Sequence, residues 1–144
     1  MGLFSNLLAA GGRALNKNLV EAMGAGGVHI ANADGRIDRD EVAGIIDAMM
    51  NVEQVKASFT VGELRLPIEK FITIAKNQPT QARMSFMKEC SDVARDHDNA
   101  LIVAAACYDV ANRGGGVSPE EKEAFIDVCE WLGVKLSELG LRGF

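Results

Sequence analysis

One stretch of this chain occurs twice, and that duplication limits the fold more than any other feature. Residues 30–49, IANADGRIDRDEVAGIIDAM, lie over residues 110–129, VANRGGGVSPEEKEAFIDVC, without a gap, at an offset of 80 (Gly35 to Gly115). Ala31, Asn32, Gly35, Glu41, Ile46 and Asp47 recur as Ala111, Asn112, Gly115, Glu121, Ile126 and Asp127. Ile30, Ile37 and Asp40 recur in kind as Val110, Val117 and Glu120. The preceding segments also correspond, because Gly24-Ala25-Gly26-Gly27 aligns with Ala104-Ala105-Ala106-Cys107. A glycine inside a helix costs roughly 1 kcal/mol relative to alanine, a loss recovered where a second backbone comes close. Two small-residue helices packed against each other near a pseudo-twofold axis would account for the glycines.

Each loop carries the residues that start a helix. Asp38-Arg39-Asp40-Glu41 and Ser118-Pro119-Glu120-Glu121 both read as capping boxes. In each, the first side chain accepts from the amide three residues on, and the glutamate reaches back to the cap amide. Pro119 falls on the first helical position, where its missing N–H costs nothing. Gly35 and Gly115 are expected to supply a positive φ in the turn, and Ile37 and Val117 to anchor the loops in the core.

Apolar spacing elsewhere predicts helices throughout. Leu19, Val20, Met23, Val28 and Ile30 suit a helix over 17–33, and Val42, Ile45, Ile46 and Met49 one over 38–58. The middle reads as helices over 64–76 (Ile68, Phe71, Ile72, Ala75) and 79–96 (Met84, Phe86, Met87, Cys90, Val93), with Pro67 and Pro79 near their starts. A small-residue helix follows over 98–112, then one over 118–132 closed by Gly133, and a last turn over 136–139 ending at Gly140. No strand-like alternation competes. The expected fold is all-α: a pseudo-twofold helical bundle of two helix–loop–helix repeats, about seven helices, forming a single domain over residues 17–144.

Residues 1–16 form an apolar N-terminal segment whose helical spacing is broken at Gly11-Gly12. It reads either as a short helix on the domain or as an amphipathic foot on a membrane surface. With only Arg13 and Lys17 to supply positive charge, packing on the protein is favoured. The segment lacks the basic flank and length of a signal peptide, and no stretch reaches a membrane span. A cytoplasmic chain is expected.

A net charge of −5 argues against nucleic-acid binding, since phosphate backbones repel an acidic surface. The three cysteines, Cys90, Cys107 and Cys129, are widely spaced and read as buried apolar thiols in a reducing compartment. His29 and His97 are the only histidines and read as solvated or capping groups. No nucleophile–base pair is evident, and a non-enzymatic protein is expected.

The first loop invites comparison with a cation site. Counting Gly35 as the sixth position of an EF-hand loop places Asn32 third, Asp34 fifth, Asp38 ninth and Glu41 twelfth. The first position, normally aspartate, is Ile30, so an EF-hand is not expected. A weaker divalent-cation site on Asp34, Asp38 and Glu41 remains open.

Ile30-Ala31-Asn32-Ala33-Asp34-Gly35 leading to Asp38 and Glu41 resembles the signature of the TerB tellurite-resistance family. So do its second copy and the ending from Leu132-Gly133-Val134 to Glu138-Leu139-Gly140-Leu141. The likeness extends over roughly residues 17–141. It implies an all-helical pseudo-symmetric fold and a role in resistance to tellurite, other stresses and phage, within complexes that include membrane proteins. It also implies metal association through acidic loops, which by position points to Asp34 and Glu41 in the first loop and Glu121 in the second. Gly114 stands where the family has aspartate, which puts a second metal site in doubt. There is no His-Pro-Asp triplet, so a co-chaperone role is unsupported. The expectation drawn from residues and resemblance together is a non-catalytic interaction module, cytoplasmic or peripheral to the inner membrane. It would dock protein partners through an acidic face that includes Asp34, Asp40 and Glu41; the alternative is a divalent-cation sensor using Asp34, Asp38, Glu41 and Glu121.

Overall fold

The computed structural model describes the backbone of residues 3–113 and 116–141, and side chains within residues 17–113 and 116–141. Among the described residues seven α-helices follow one another: α1 (Leu3–Ala31), α2 (Arg39–Met50), α3 (Glu53–Ser58), α4 (Val61–Asn77), α5 (Pro79–Val93), α6 (His97–Ala111) and α7 (Pro119–Leu132). Short 3-10 turns occupy Asn32–Asp34 and Leu136–Leu139. No strand occurs among the described residues, and the all-α expectation holds.

The duplication appears as two helix–loop–helix units, the C-terminal half of α1 with α2 and α6 with α7. Helix α1 packs on α6, and each unit's second helix packs on the other unit's first, α2 on α6 and α7 on α1. That exchange is what a pseudo-twofold relation between the units requires. The α4–α5 hairpin lies against α1 as well, so α1 runs through the centre and is nearly all buried from Leu19 to Ala31.

The small residues of α1 are placed by three different neighbours. A Cβ on Gly26 would stand 2.7 Å from Cys107 Sγ on α6 and 3.3 Å from Val128 on α7, the close approach expected between the two small-residue helices. A Cβ on Gly27 would stand 2.9 Å from Ile45 on α2. Gly24 faces Phe71 and Ile68 of α4, at 3.5 Å and beyond, so the pseudo-axis accounts for Gly26 and not for all three. Around this spine the core is aliphatic, with Phe71 meeting Phe86 edge-on at 5.7 Å and Phe125 meeting Tyr108 at 5.7 Å.

Several boundaries differ from those the sequence predicts. The helix expected over 38–58 is broken: Val52 turns extended and α3 restarts at Glu53, a break that brings Val55 to full burial. Helix α4 begins earlier than expected, because Thr60 and Glu63 form a capping box. Pro67 therefore lies inside the helix rather than near its start, and leaves one backbone carbonyl without its helical donor. Met84, expected on the apolar face of α5, is 66% exposed; the buried face is Ala82, Phe86, Cys90 and Val93. The backbone of α1 runs through Gly11-Gly12 and across the boundary between residues 16 and 17 without a break. The expected packing of the 1–16 segment lies outside the described side chains. Gly133 and Gly140 close the last two elements with φ of 69° and 73°, as expected; Gly115 lies outside the described residues.

Candidate functional site

The first loop is built by short-range hydrogen bonds. Helix α1 tightens into the 3-10 turn Asn32–Asp34, and Gly35 follows at φ 85°, a left-handed conformation that a Cβ would penalise. The Arg36 amide donates to Asp34 Oδ1 at 3.0 Å. The Glu41 amide donates to Asp38 Oδ1 at 2.8 Å, which starts α2, so only this half of the expected capping box closes, although the Asp38 amide still favours the Glu41 carboxylate. At the second loop the capping box is closed by two bonds, with Glu121 N–H to Ser118 Oγ at 3.1 Å and Ser118 N–H to Glu121 Oε1 at 3.2 Å. Pro119 sits on its first turn as expected. Ile37 and Val117 are both half-buried against the core.

These two loops meet. A concavity of about 300 Å³ is lined by Asp34, Asp38, Asp40, Glu41 and Gly44 from the first unit and by Val110, Arg113 and Glu121 from the second. All the carboxylates singled out from the sequence therefore share one surface. Glu41 and Glu121, which are equivalent in the repeat, approach each other there. Burial raises the pKa of Glu41 first, and the negative charges of Asp38, Asp34 and Glu121 raise it further against the Asp38 amide. The site thus carries more negative charge than its own groups neutralise.

Two residues of this site escape the sequence reading. Arg113 reaches from the second loop to Asp47, with Nη1 3.1 Å from Oδ2. Its stem crosses Gly44 so closely that a Cβ there would stand 2.5 Å from Arg113 Cδ. The only available signal was a glycine inside the amphipathic pattern of α2 and one arginine in an otherwise glycine loop.

An EF-hand arrangement is not formed. Ile30 is fully buried in the core, and Asn32 lines a different concavity. Among the described residues no three His, Cys, Asp or Glu side chains converge closely enough to hold a metal ion as they stand. Asp34, Asp38 and Glu121 each already accept a local backbone N–H.

His29 is neither solvated nor capping, contrary to expectation. It packs between Phe86 and Trp131, with ring centroids at 5.9 and 4.9 Å, and its Nε2 lies 3.1 Å from Asp127 Oδ2. Burial lowers its pKa, and the Asp127 hydrogen bond only partly opposes this. A residue near the end of a helix reads as exposed until α5 and α7 are seen to close over it. His97 does lie at the surface, 2.7 Å from Glu138. The cysteines are buried as expected; burial pushes Cys90 and Cys129 up to about 12 and raises Cys107 well above its ordinary value. Such thiols stay protonated at neutral pH and make poor nucleophiles. Among the described residues no helix is long and apolar enough to cross a membrane.

The family model described as Tellurite resistance protein TerB matches residues 20–141. No curated protein and no solved structure matches the chain. The matched span starts within α1 and runs past Gly140, so it takes in both repeat units and the acidic concavity between them. With most of its length in that match, the chain belongs to the TerB tellurite-resistance protein family.

Proposed function

We propose that this tellurite-resistance-type module acts by binding rather than by catalysis, and that the concavity between its two loops is the docking surface for a basic segment of a protein partner. The observation that supports this most directly is the charge of the concavity. Asp34, Asp38, Asp40, Glu41 and Glu121 surround it, and among the described residues Arg113 is the one cation on its lining. Glu41 is held above its ordinary pKa partly by its acidic neighbours. Like charges gathered at a surface raise the free energy of the free protein, and an incoming Lys or Arg relieves that strain while steering the encounter. The setting proposed with it is a stress- or phage-resistance complex at the cytoplasmic side of a membrane, with a membrane-associated partner.

The test is a pull-down from the native cell with Asp34→Lys/Glu41→Lys, after circular dichroism has shown an unchanged helical fold. Loss of the partner is expected; undiminished recovery would refute the docking role. A second reading, a divalent-cation sensor on Asp34, Asp38, Glu41 and Glu121, is favoured by the same repulsion at Glu41, which a cation would relieve. Calorimetric titration with Ca²⁺, Mg²⁺ and Zn²⁺ separates the two, since absence of heat at millimolar metal removes the sensor reading and leaves the docking reading intact.

A further inference from the structure

The pseudo-twofold relation gives the acidic concavity a counterpart. A second opening, of about 350 Å³, lies between α1, α5 and α7. It is lined in part by Ala33, Glu120, Ala124 and Asp127. At the repeat offset these correspond to Arg113, Asp40, Gly44 and Asp47, the residues that define the first concavity and its ion pair.

The two halves differ in one respect. In the first, the guanidinium comes from the loop and its stem fills the path, because Arg113 runs over Gly44 and its Nη1 meets Asp47 at 3.1 Å. In the second, the residue equivalent to Arg113 is Ala33, and the path over Ala124 towards Asp127 is left open. His29 Nε2 at 3.1 Å and Arg83 Nη1 at 3.3 Å both engage the same oxygen of Asp127, Oδ2. Arg83 comes from α5 and lies over the Trp131 ring at 5.3 Å, so it approaches from a different element than a loop arginine would. Glu120 and Glu123 line the opening, are exposed and make no side-chain ion pair or hydrogen bond among the described residues. The floor is apolar, with Ala75, Ala82 and Phe86, and suits an aliphatic stem.

We propose that this second concavity is a slot for an arginine side chain of a binding partner, which takes the place that Arg113 fills in the first half. The stem would lie on Ala82, Ala124 and Phe86, and the guanidinium would meet Glu120, Glu123 and the remaining oxygen of Asp127. A volume of this size lies at the lower end of the range for small-ligand sites, and an apolar floor with a few converging charged groups is their usual make-up. A planar guanidinium is the cation best matched to several carboxylates at once. The slot is separate from the acidic concavity, and its existence does not depend on the docking role proposed there.

The test is an NMR titration of the full chain with N-acetyl-arginine methylamide, with capped norleucine as the apolar control. Saturable shifts are expected at the His29 ring, the Trp131 indole and Ala124, with none from norleucine. Affinity should fall about tenfold in Glu120→Gln/Glu123→Gln, the loss of roughly one charge-assisted interaction. It should be unchanged in Asp34→Asn/Glu41→Gln. Absence of saturable shifts, equal shifts from norleucine, equal affinity in the glutamine variant, or shifts confined to residues 34–41 would each overturn the proposal.

Discussion

Gly24 and Gly26 stand on the same turn of α1, and the structure assigns opposite signs to the same substitution at the two positions. Alanine is favoured over glycine in a helix interior by about 0.8–1.0 kcal/mol. At Gly24 the new methyl group meets its nearest neighbour, the Phe71 ring, at 3.5 Å, an ordinary contact that leaves the gain intact. Gly24→Ala is therefore expected to stabilise by about 1 kcal/mol, a rise in Tm of about 3–4 °C for a chain of this size. At Gly26 the methyl would stand 2.7 Å from Cys107 Sγ and 3.3 Å from Val128 Cγ1. Both neighbours are buried, and a cysteine has one side-chain torsion with which to move its sulfur. Overpacking of this kind costs about 1–3 kcal/mol, so after the propensity gain Gly26→Ala should destabilise by up to about 2 kcal/mol. Urea unfolding followed at 222 nm, at constant slope, measures both. Cys107→Ala in the Gly26→Ala background should show favourable coupling, because it removes the obstructing atom. A Gly26→Ala protein as stable as Gly24→Ala would refute the claim that Gly26 sets the approach of α1 to α6 and α7.

Other consequences concern charge and thiols. Because Glu41 titrates above its ordinary value, its contribution is most favourable below the unfolded pKa and is lost as pH rises through the folded one. Glu41→Gln should therefore be more stable than the parent at pH 7 by about 0.3–0.5 kcal/mol, the gap closing towards pH 4.5; a destabilised variant at neutral pH would contradict the electrostatic account. His29 works in the other direction: its lowered pKa gives stability that is complete above the unfolded value near 6.5 and lost as pH falls through the folded one. The urea midpoint should drop between pH 7.5 and 5.5, with a shallower slope in His29→Gln, and equal slopes would show that His29 is not the titrating group. Native protein at pH 8 should leave Cys90, Cys107 and Cys129 unmodified by an aromatic disulfide reagent over minutes, with all three reacting in denaturant; fast native labelling would place a thiol outside the core.

The sequence by itself determined the helical class, the duplication and the local starts and stops of helices. Those features rest on interactions within a few residues: the Ser118–Glu121 box, Pro119 on the first turn, Gly35 and Gly133 at left-handed positions. Where local signals were overlooked or outvoted, boundaries moved. Thr60 and Glu63 form a box that carries α4 past Pro67, and burial of Val55 breaks the α2–α3 run in spite of its helical spacing. The acidic loop was legible as chemistry, since Asp34, Asp38 and Glu41 are close in sequence, whereas its meeting with Glu121 follows from the duplication only once the pairing of the units is known. Tertiary structure alone decided the long-range pairs. Arg113 across Gly44 to Asp47, and His29 between Phe86 and Trp131 on Asp127, join residues that no periodicity links. A side chain's partner across the bundle depends on how whole helices pack, which the spacing of residues along one helix does not encode.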